Sequence, residues 1–383
     1  MSKHTSGRVF LWIATLVALL ASAAAPSFGA ALDTSVPESS IARERYPEPT
    51  YTAKAGFDSE IFPAFANFLS LQDPSDREWG VVSVTVSNPT SNNVHNRIAV
   101  RVPGWSDEEI QGVEVNVGER RTFLFAPTFL PRFYQNREIV AATARVTVKD
   151  LKENVVFEAT VPVRLRSADD IYWGENFKYA PLIASWVTPH DARVEAVLGQ
   201  AKEFMPDRRL PGYDSKLPVA VQAHLTRLQA RAIYLALQRK GLSYVKSSFT
   251  LGKHSNIAER VRLPGESLSR DSANCIDGAV LYASLFENLG MDPVVVLVPG
   301  HAYIGVRVAP DAPNYLYIET ALTSRATFER AVRAAQVGIA RYPTSRVRLI
   351  PISDAREAGI FPMPETPSSA PAPSTLNASS QAK

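Results

Sequence analysis

Cysteine is almost absent from this sequence, because Cys275 is the only one among 383 residues. A single thiol cannot close an internal disulfide, so a disulfide framework is excluded. With one cysteine and scattered histidines, no pair of ligands has the spacing of a zinc site, and we expect no metal or cofactor. The basic side chains, 41 against 38 acidic ones, form no run, which gives no reason to expect a nucleic-acid partner.

Long hydrophobic runs are also scarce, and the only one lies at residues 9–20. It follows Lys3 and Arg8 and precedes a series of small residues, which predicts a removable signal peptide over residues 1–31. The run is shorter than the roughly 20 residues that a membrane span requires. We therefore expect a periplasmic or secreted protein with no membrane span after cleavage. Anchoring to the inner membrane by an uncleaved N-terminal segment is the alternative.

An exported location makes the single thiol unusual. Exported proteins commonly use cysteines in pairs as disulfides, so a lone thiol is either a reactive group or an accident. Cys275 is therefore the first candidate for a functional residue.

The pattern after the signal peptide predicts a multidomain protein. Residues 32–58 are rich in Pro, Ser, Glu and Thr, which is typical of a flexible lead-in. Residues 59–168 are predicted to form an all-β domain and residues 169–364 an α+β domain. The small, polar and Pro-rich residues 365–383 indicate a disordered Pro/Ser-rich tail.

Between residues 78 and 168, apolar residues occupy every second position in several short runs, as in half-buried strands. Turn residues such as Asn88-Pro89 and Pro103-Gly104 separate the runs. Several short strands at this spacing are typical of an immunoglobulin-like β-sandwich, which would support the other domain or contact an envelope protein partner. The four alternating sets are Val82, Val84 and Val86; Ile98, Val100 and Val102; Val113, Val115 and Val117; and Phe157, Ala159, Val161, Val163 and Leu165.

From about residue 190 the apolar spacing changes to the period of a helix. Asp191 can cap a first helix, and Pro218 and Gly241 frame a second one at residues 218–240. A third helix follows Cys275, and strands are predicted at 294–298, 302–308 and 315–319. Helices followed by an antiparallel sheet indicate an α+β domain. The predicted inner stripe of the second helix is Val221, Leu225, Leu228, Ala232 and Leu235.

The stretch around Cys275, residues 274–289, is apolar on nearly every side, which predicts a buried helix. Asp271 and Ser272 precede it and can cap it, which would place Cys275 in the first turn. There the unpaired N–H groups and the positive end of the helix dipole favour a thiolate. The alternative interpretation is a buried, inert cysteine.

His301 and Glu319 are the candidate partners of this thiol. His301 lies at the junction of two predicted strands, and a turn at residues 309–314 folds the next strand back, so that Glu319 should lie within a register step or two of His301. A thiolate nucleophile requires a nearby proton acceptor and donor, and a carboxylate can orient the imidazole. Considered one at a time, His301 is more simply interpreted as a turn residue and Glu319 as a solvated residue at the end of a strand.

The block at residues 264–306 resembles the core of the transglutaminase-like (papain-like) superfamily. In it a cysteine opens an apolar helix, LGMDP at 289–293 precedes a Val/Leu strand, and GHA at 300–302 opens the next strand. The closest resemblance is to the transglutaminase-like region found beside an immunoglobulin-like domain in large bacterial helicase-type proteins, and it covers roughly residues 75–364. Further stretches that resemble this region lie at 173–174, 184–191, 212–213, 262–264 and 355–364.

The resemblance implies that residues 169–364 form a transglutaminase-like domain with Cys275 as nucleophile, His301 as base and Glu319 as orienting acid. Such a site acts on amide bonds through an acyl-enzyme. An upstream aromatic donor recurs in transglutaminases, which makes Tyr244 a candidate oxyanion donor beside the backbone N–H of Cys275. A core tyrosine is the plainer interpretation. Most transglutaminases have aspartate where this chain has Glu319. The sequence has no counterpart of the helicase portion, so no nucleic-acid partner is expected.

The sequence therefore predicts an exported cysteine peptidase or amide hydrolase, favoured over a cross-linking transferase, with a peptide or protein substrate. The alternative is a catalytically silent binding or scaffold protein of the cell envelope that keeps the same fold.

Overall fold

Two β-sheets form the N-terminal half of the protein, whose computed structural model describes residues 47–246, 258–310 and 312–364. One sheet has the antiparallel strand order β1-β3-β6, and the other has the order β2-β8-β7-β4-β5, in which only β2 and β8 run parallel. Their strands are β1 (Thr50–Ala55), β2 (Glu60–Ile61), β3 (Val82–Ser87), β4 (Val94–Arg101), β5 (Glu109–Val115), β6 (Arg120–Phe125), β7 (Val140–Lys149) and β8 (Val155–Leu165). Two short helices, α1 (Pro63–Ser70) and α2 (Pro131–Tyr134), lie between them.

The predicted alternation of apolar residues is present in these strands. Along β3 the burial alternates at every residue, and its three valines are fully buried. The inner faces of both sheets belong to one hydrophobic core. Val117 departs from the prediction, because it lies beyond the end of β5, before Gly118 with φ +73°, and is exposed.

Strand β1 lies within residues 32–58, where the sequence predicted a flexible lead-in. Residues Thr50–Ala55 pair antiparallel with β3 along their whole length, so this part of the expectation is corrected. Tyr51, Ala53 and Ala55 pack against the core, and the Tyr51 hydroxyl donates a hydrogen bond to Asn96 Oδ1 at 3.1 Å. The polar residues that alternate with them give the segment a polar overall composition, and that composition led to the prediction of a flexible segment. The predicted signal peptide (1–31) and tail (365–383) lie outside the described residues.

Helices and a second antiparallel sheet make up the C-terminal half, so the protein has mixed α/β content with several sheets. The elements are β9 (Asp170–Tyr172), α3 (Ala192–Ala201), α4 (Val219–Lys240), β10 (Ser243–Tyr244), β11 (Ala258–Arg260), α5 (Pro264–Ser269), β12 (Ser272–Ala273), α6 (Cys275–Asn288), β13 (Pro293–Val298), β14 (His301–Arg307), β15 (Tyr315–Ile318), α7 (Phe328–Ala340), β16 (Arg348–Pro351) and α8 (Ile352–Glu357). The strand order in the sheet is β15-β14-β13-β16, and the sheet shares core residues with α6 on one face and with α7 on the other. The sequence did not predict α7 or β16.

None of the helices in the described part of the chain combines the length and the apolar character that a membrane crossing requires.

Helix α4 buries a polar face in its first half, which corrects the predicted apolar stripe. Gln222, Thr226 and Gln229 are fully buried, whereas Val221 is exposed. The buried polar side chains satisfy backbone groups of other segments: Gln229 bonds both the N–H and the C=O of Gly212, at 2.8 and 2.9 Å, and Thr226 donates to Val308 C=O at 2.9 Å. Helix α4 therefore anchors two connecting segments, a role that hydrophobic spacing cannot reveal.

We expect Gln229→Leu to lower the free energy of unfolding by about 2–3 kcal/mol, because the buried N–H of Gly212 would lose its partner and the C=O would keep only the longer bond from Gln222, at 3.5 Å. Urea unfolding followed by circular dichroism measures this change. The exposed Gln200→Ala in α3 is the control and should stay within about 0.5 kcal/mol of the native protein. Equal stability of the native protein and Gln229→Leu would contradict this role.

An ionic network joins the two halves of the chain. Arg137, just after α2, forms ion pairs with Asp169 and, at 3.1 Å, with Glu266 of α5. The fully buried Arg166 donates from Nε to Asp170 Oδ2 at 2.9 Å. Because α5 leads directly into the segment before Cys275, this network fixes the position of that segment against the N-terminal sheets.

Candidate active site

Cys275 is the first residue of α6, as the sequence predicted, but the cap is a different residue. Asn274 is the N-cap: its Oδ1 accepts the Asp277 N–H at 2.7 Å, and Asp277 Oδ2 accepts the Asn274 N–H at 3.2 Å. Asp271 and Ser272, the predicted caps, lie outside the helix, since Asp271 has φ +45° and Ser272 belongs to β12. The reciprocal cap starts the helix at Cys275 and leaves its side chain partly exposed.

Asp277 holds this helix start in place. Its side chain is buried, and Oδ1 also accepts the Arg262 N–H at 2.8 Å, with Arg262 Nε 3.6 Å from Oδ2. Burial raises the pKa of Asp277. The hydrogen bonds from the Arg262 and Asn274 N–H groups and the positive charge of Arg262 oppose this rise. Its contacts identify Asp277 as a structural residue next to the thiol.

The start of α6 lies close to the segment that follows Glu319. Thr320 Oγ1 donates to Cys275 C=O at 3.5 Å. A Cβ added at Gly278 would lie 2.6 Å from Thr320 Oγ1, so a larger residue there would push the helix away. Glycine one turn after the thiol therefore permits Cys275 and Glu319 to approach the same place.

His301 and Glu319 are in direct contact. His301 Nε2 lies 2.7 Å from Glu319 Oε2, and the side chains are 26% and 12% exposed. The strand register pairs Ile304 with Ile318, so Glu319, the next residue, lies diagonally across from His301. Its second oxygen, Oε1, accepts the Ala321 N–H at 3.0 Å, which fixes the carboxylate.

Cys275 and Glu319 together set the charge of His301. Burial by itself lowers the pKa of His301, but the hydrogen bonds to Cys275 and Glu319, together with their negative charges, raise it to about 10. Because Nε2 faces Glu319, Nδ1 is the ring nitrogen that remains for the sulfur. The structure thus brings the three predicted residues together through the imidazole.

Replacing Glu319 by Gln should lower the pKa of His301 below about 10, because a charged hydrogen-bond partner is lost. Since this pKa is raised from 6.5, the charged ring stabilises the fold fully below about pH 6.5, and that contribution is lost as the pH rises through about 10. Nuclear magnetic resonance of the ring protons follows the titration. Glu329→Gln, which removes a carboxylate from α7, is the control. An identical titration in the native protein and Glu319→Gln would contradict the assigned contact.

Tyr244 lies beside the segment that leads to Cys275. Strand β10 pairs parallel with β12, which puts Tyr244 next to Ala273. Burial and the charges of Cys275 and Glu319 raise the pKa of Tyr244, and the Arg325 charge opposes this rise. Its side chain is 40% exposed, so it is not a core tyrosine. The structure therefore brings all four predicted residues to one region.

Three neighbours of the site were not found from the sequence. Thr320 bonds the Cys275 carbonyl, Asn274 caps the helix, and the Tyr303 ring contacts the His301 ring edge-on with centroids 4.7 Å apart. Asn274 directly precedes Cys275 and has Asp277 three residues later, which is the signal of a capping box. Thr320 and Tyr303 have no such local signal, because their contacts depend on the strand register.

The described residues include no group of three or more His, Cys, Asp or Glu side chains that could hold a metal ion. The chemistry available at this place is that of a thiol, an imidazole and a carboxylate. In comparisons with known proteins, no family model matches this chain, and no curated protein sequence matches it.

Proposed function

We propose that the protein is an exported, transglutaminase-like cysteine enzyme that hydrolyses peptide or side-chain amide bonds. The observation that supports this most is the position of His301, whose Nε2 lies 2.7 Å from Glu319 Oε2 and whose pKa is raised by both Cys275 and Glu319. A nucleophile, a proton carrier and an orienting acid in one chain of contacts are what thiol-based acyl transfer requires.

In the first step, the Cys275 thiolate attacks the carbonyl carbon of the substrate amide and a C–S bond forms. Negative charge develops on the carbonyl oxygen, towards which the Cys275 N–H and the Tyr244 hydroxyl donate. The charged His301 gives its Nδ1 proton to the amide nitrogen, the C–N bond breaks, and the amine leaves. A thioester on Cys275 and a neutral imidazole remain.

In the second step, water takes the place of the amine. His301 removes a proton from the water, whose oxygen forms a C–O bond with the thioester carbonyl carbon while the C–S bond breaks. The acid is released, and the thiolate and the imidazolium are restored. Glu319 holds the ring in one orientation throughout, because its two oxygens bond His301 and Ala321.

The N-terminal sheets support a further part of the proposal. Two sheets with alternating burial around one core are consistent with an immunoglobulin-like β-sandwich, and α6 against an antiparallel sheet is consistent with a transglutaminase-like domain. In this proposal the sandwich supports the enzyme or contacts an envelope protein, and the protein acts in the periplasm or outside the cell.

The direct test is to trap the acyl-enzyme on the full-length purified protein. Incubation with a mixture of synthetic peptides and cell-wall peptides, followed by an acid quench, should give an added mass on Cys275 that hydroxylamine removes. The Cys275→Ala variant should give none. If the native protein forms no adduct and cleaves no peptide while remaining folded, the catalytically silent scaffold is the better interpretation.

A further inference from the structure

Tyr303 borders the His301 imidazole from within the same strand. Side chains two residues apart point to the same face of a strand, so both residues lie on one face of β14. Their rings meet edge-on, with centroids 4.7 Å apart and planes at 81°. Tyr303 is buried, with 6% of its surface exposed. The steps of the proposed reaction do not use this ring, although it lies directly beside the imidazole.

Helix α7 covers the other end of this ring. Tyr303 belongs to the hydrophobic cluster between the sheet and α7, in which Ala335 is the buried residue of the helix. The Tyr303 hydroxyl reaches the backbone of the helix at Gly338. A Cβ added there would overlap the hydroxyl oxygen and lie 2.9 Å from Cζ of the ring, so glycine makes room for the tyrosine. The ring is therefore held between the helix and the imidazole.

The same helix contacts two further segments of the site. Near its start, Ala331 C=O accepts the Glu319 N–H at 3.2 Å. Just beyond its end, the Tyr342 hydroxyl donates to Pro299 C=O at 3.4 Å, in the turn before β14. Together with the contact at Gly338, these bonds tie α7 to the backbone of the acid, to the turn before the imidazole and to the ring beside it.

We propose that Tyr303 is a positioning residue, which holds the His301 imidazole with Nε2 towards Glu319, and that α7 fixes its ring. The role of this orientation in acyl transfer rests on the proposed function. An edge-on aromatic contact favours one orientation of a ring by about 2–10-fold. Without it, orientations of the imidazole that lose the 2.7 Å contact with Glu319 become more populated.

The test measures how far Glu319→Gln lowers the pKa of His301, by nuclear magnetic resonance of the ring protons, in the native protein and in variants of Tyr303. Because each comparison is made within one background, a change in the burial of the imidazole cancels. In Tyr303→Leu, which removes the ring, the effect of Glu319→Gln should fall to about half or less, since the contact is made less often. Tyr303→Phe keeps the ring and should show the full effect.

Tyr315→Leu is the matched control, because Tyr315 packs against the same cluster but lies at the end of β15 away from Glu319. It loses similar packing and should show the full effect of Glu319→Gln. A merely structural role of Tyr303 predicts the same result for both leucine variants. A full effect of Glu319→Gln in folded Tyr303→Leu would overturn the inference.

Gly338→Ala displaces the ring from the side of the helix and serves as the second variant. Its methyl group overlaps the Tyr303 hydroxyl, so the effect of Glu319→Gln should again be reduced, and Tyr303→Phe should restore part of it. Gly199→Ala in α3, where an added Cβ has open space, should change nothing. If Tyr303→Leu does not fold, a full effect in Gly338→Ala overturns the inference.

The ring titration involves no reaction at Cys275, so this inference and the proposed function can fail separately. The proposed function is judged by the iodoacetamide rate of the native protein at pH 6. A slow native rate contradicts the proposed function, whereas the dependence of the contact between His301 and Glu319 on Tyr303 is decided by the titration alone.

Discussion

His301→Ala is expected to slow the alkylation of Cys275 by iodoacetamide at pH 6 by about 300-fold. In the proposed mechanism the charged imidazole, whose pKa is raised to about 10, stabilises the thiolate of Cys275. An ordinary thiol has a pKa near 8.5 and is only about 0.3% ionised at pH 6, which sets the size of the loss. The rate of carboxamidomethylation is followed by intact mass.

The control for this prediction is His224→Ala, an exposed histidine on α4. It should react at the native rate at every pH. Both histidine variants should approach the native rate above about pH 9, where a free thiol ionises without help. A native protein that reacts only above pH 8.5, with or without His301, would remove the basis for the proposed chemistry.

Asp277→Ala is expected to lower the free energy of unfolding by about 3 kcal/mol or more. The carboxylate is buried, and it accepts the N–H groups of Asn274 and Arg262 while lying near the Arg262 guanidinium. Its removal takes this acceptor from two backbone N–H groups and this counter-charge from a partly buried guanidinium. The loss also frees the start of α6, so low-pH alkylation of Cys275 should slow as well. Denaturant unfolding and alkylation of the same samples measure both effects.

Asp277→Asn keeps one carbonyl oxygen and should be intermediate between the native protein and Asp277→Ala. Asp354→Ala, an exposed position in the first turn of α8, is the matched control and should change stability by less than about 1 kcal/mol. If Asp277→Ala unfolds at the native denaturant concentration, the reciprocal cap does not hold the helix start.

Those features of the fold that depend on local periodicity were predictable from the sequence. The second helix ends at Gly241, which has φ +88°, as its position after Lys240 indicated. Asp191 caps α3 by accepting the Arg193 N–H at 2.7 Å. The predicted third helix and the three strands around His301 are present within one to three residues of the expected bounds.

Features that depend on contacts between distant segments were not predictable in this way. The buried polar face of α4 is stabilised by backbone groups of residue 212, seven residues before the helix, and of Val308, 82 residues after Thr226. The cap of α6 was misassigned because three polar residues precede Cys275 closely, and only the backbone angles decide among them. The contact of Thr320 with the Cys275 carbonyl depends on how the start of α6 and the segment after β15 meet, which no sequence period encodes.

The ultraviolet absorbance of the thiolate reports on the proposed pairing of Cys275 with His301, since Cys275 is the only thiol in the chain. The difference spectrum between the native protein and Cys275→Ser, recorded as a function of pH, reports the ionised sulfur alone. We predict a thiolate band already present at pH 6 in the native protein and lost at that pH in His301→Ala. A band that emerges only as the pH rises through about 8.5, with or without the imidazole, would show that Cys275 is an ordinary thiol that His301 does not activate.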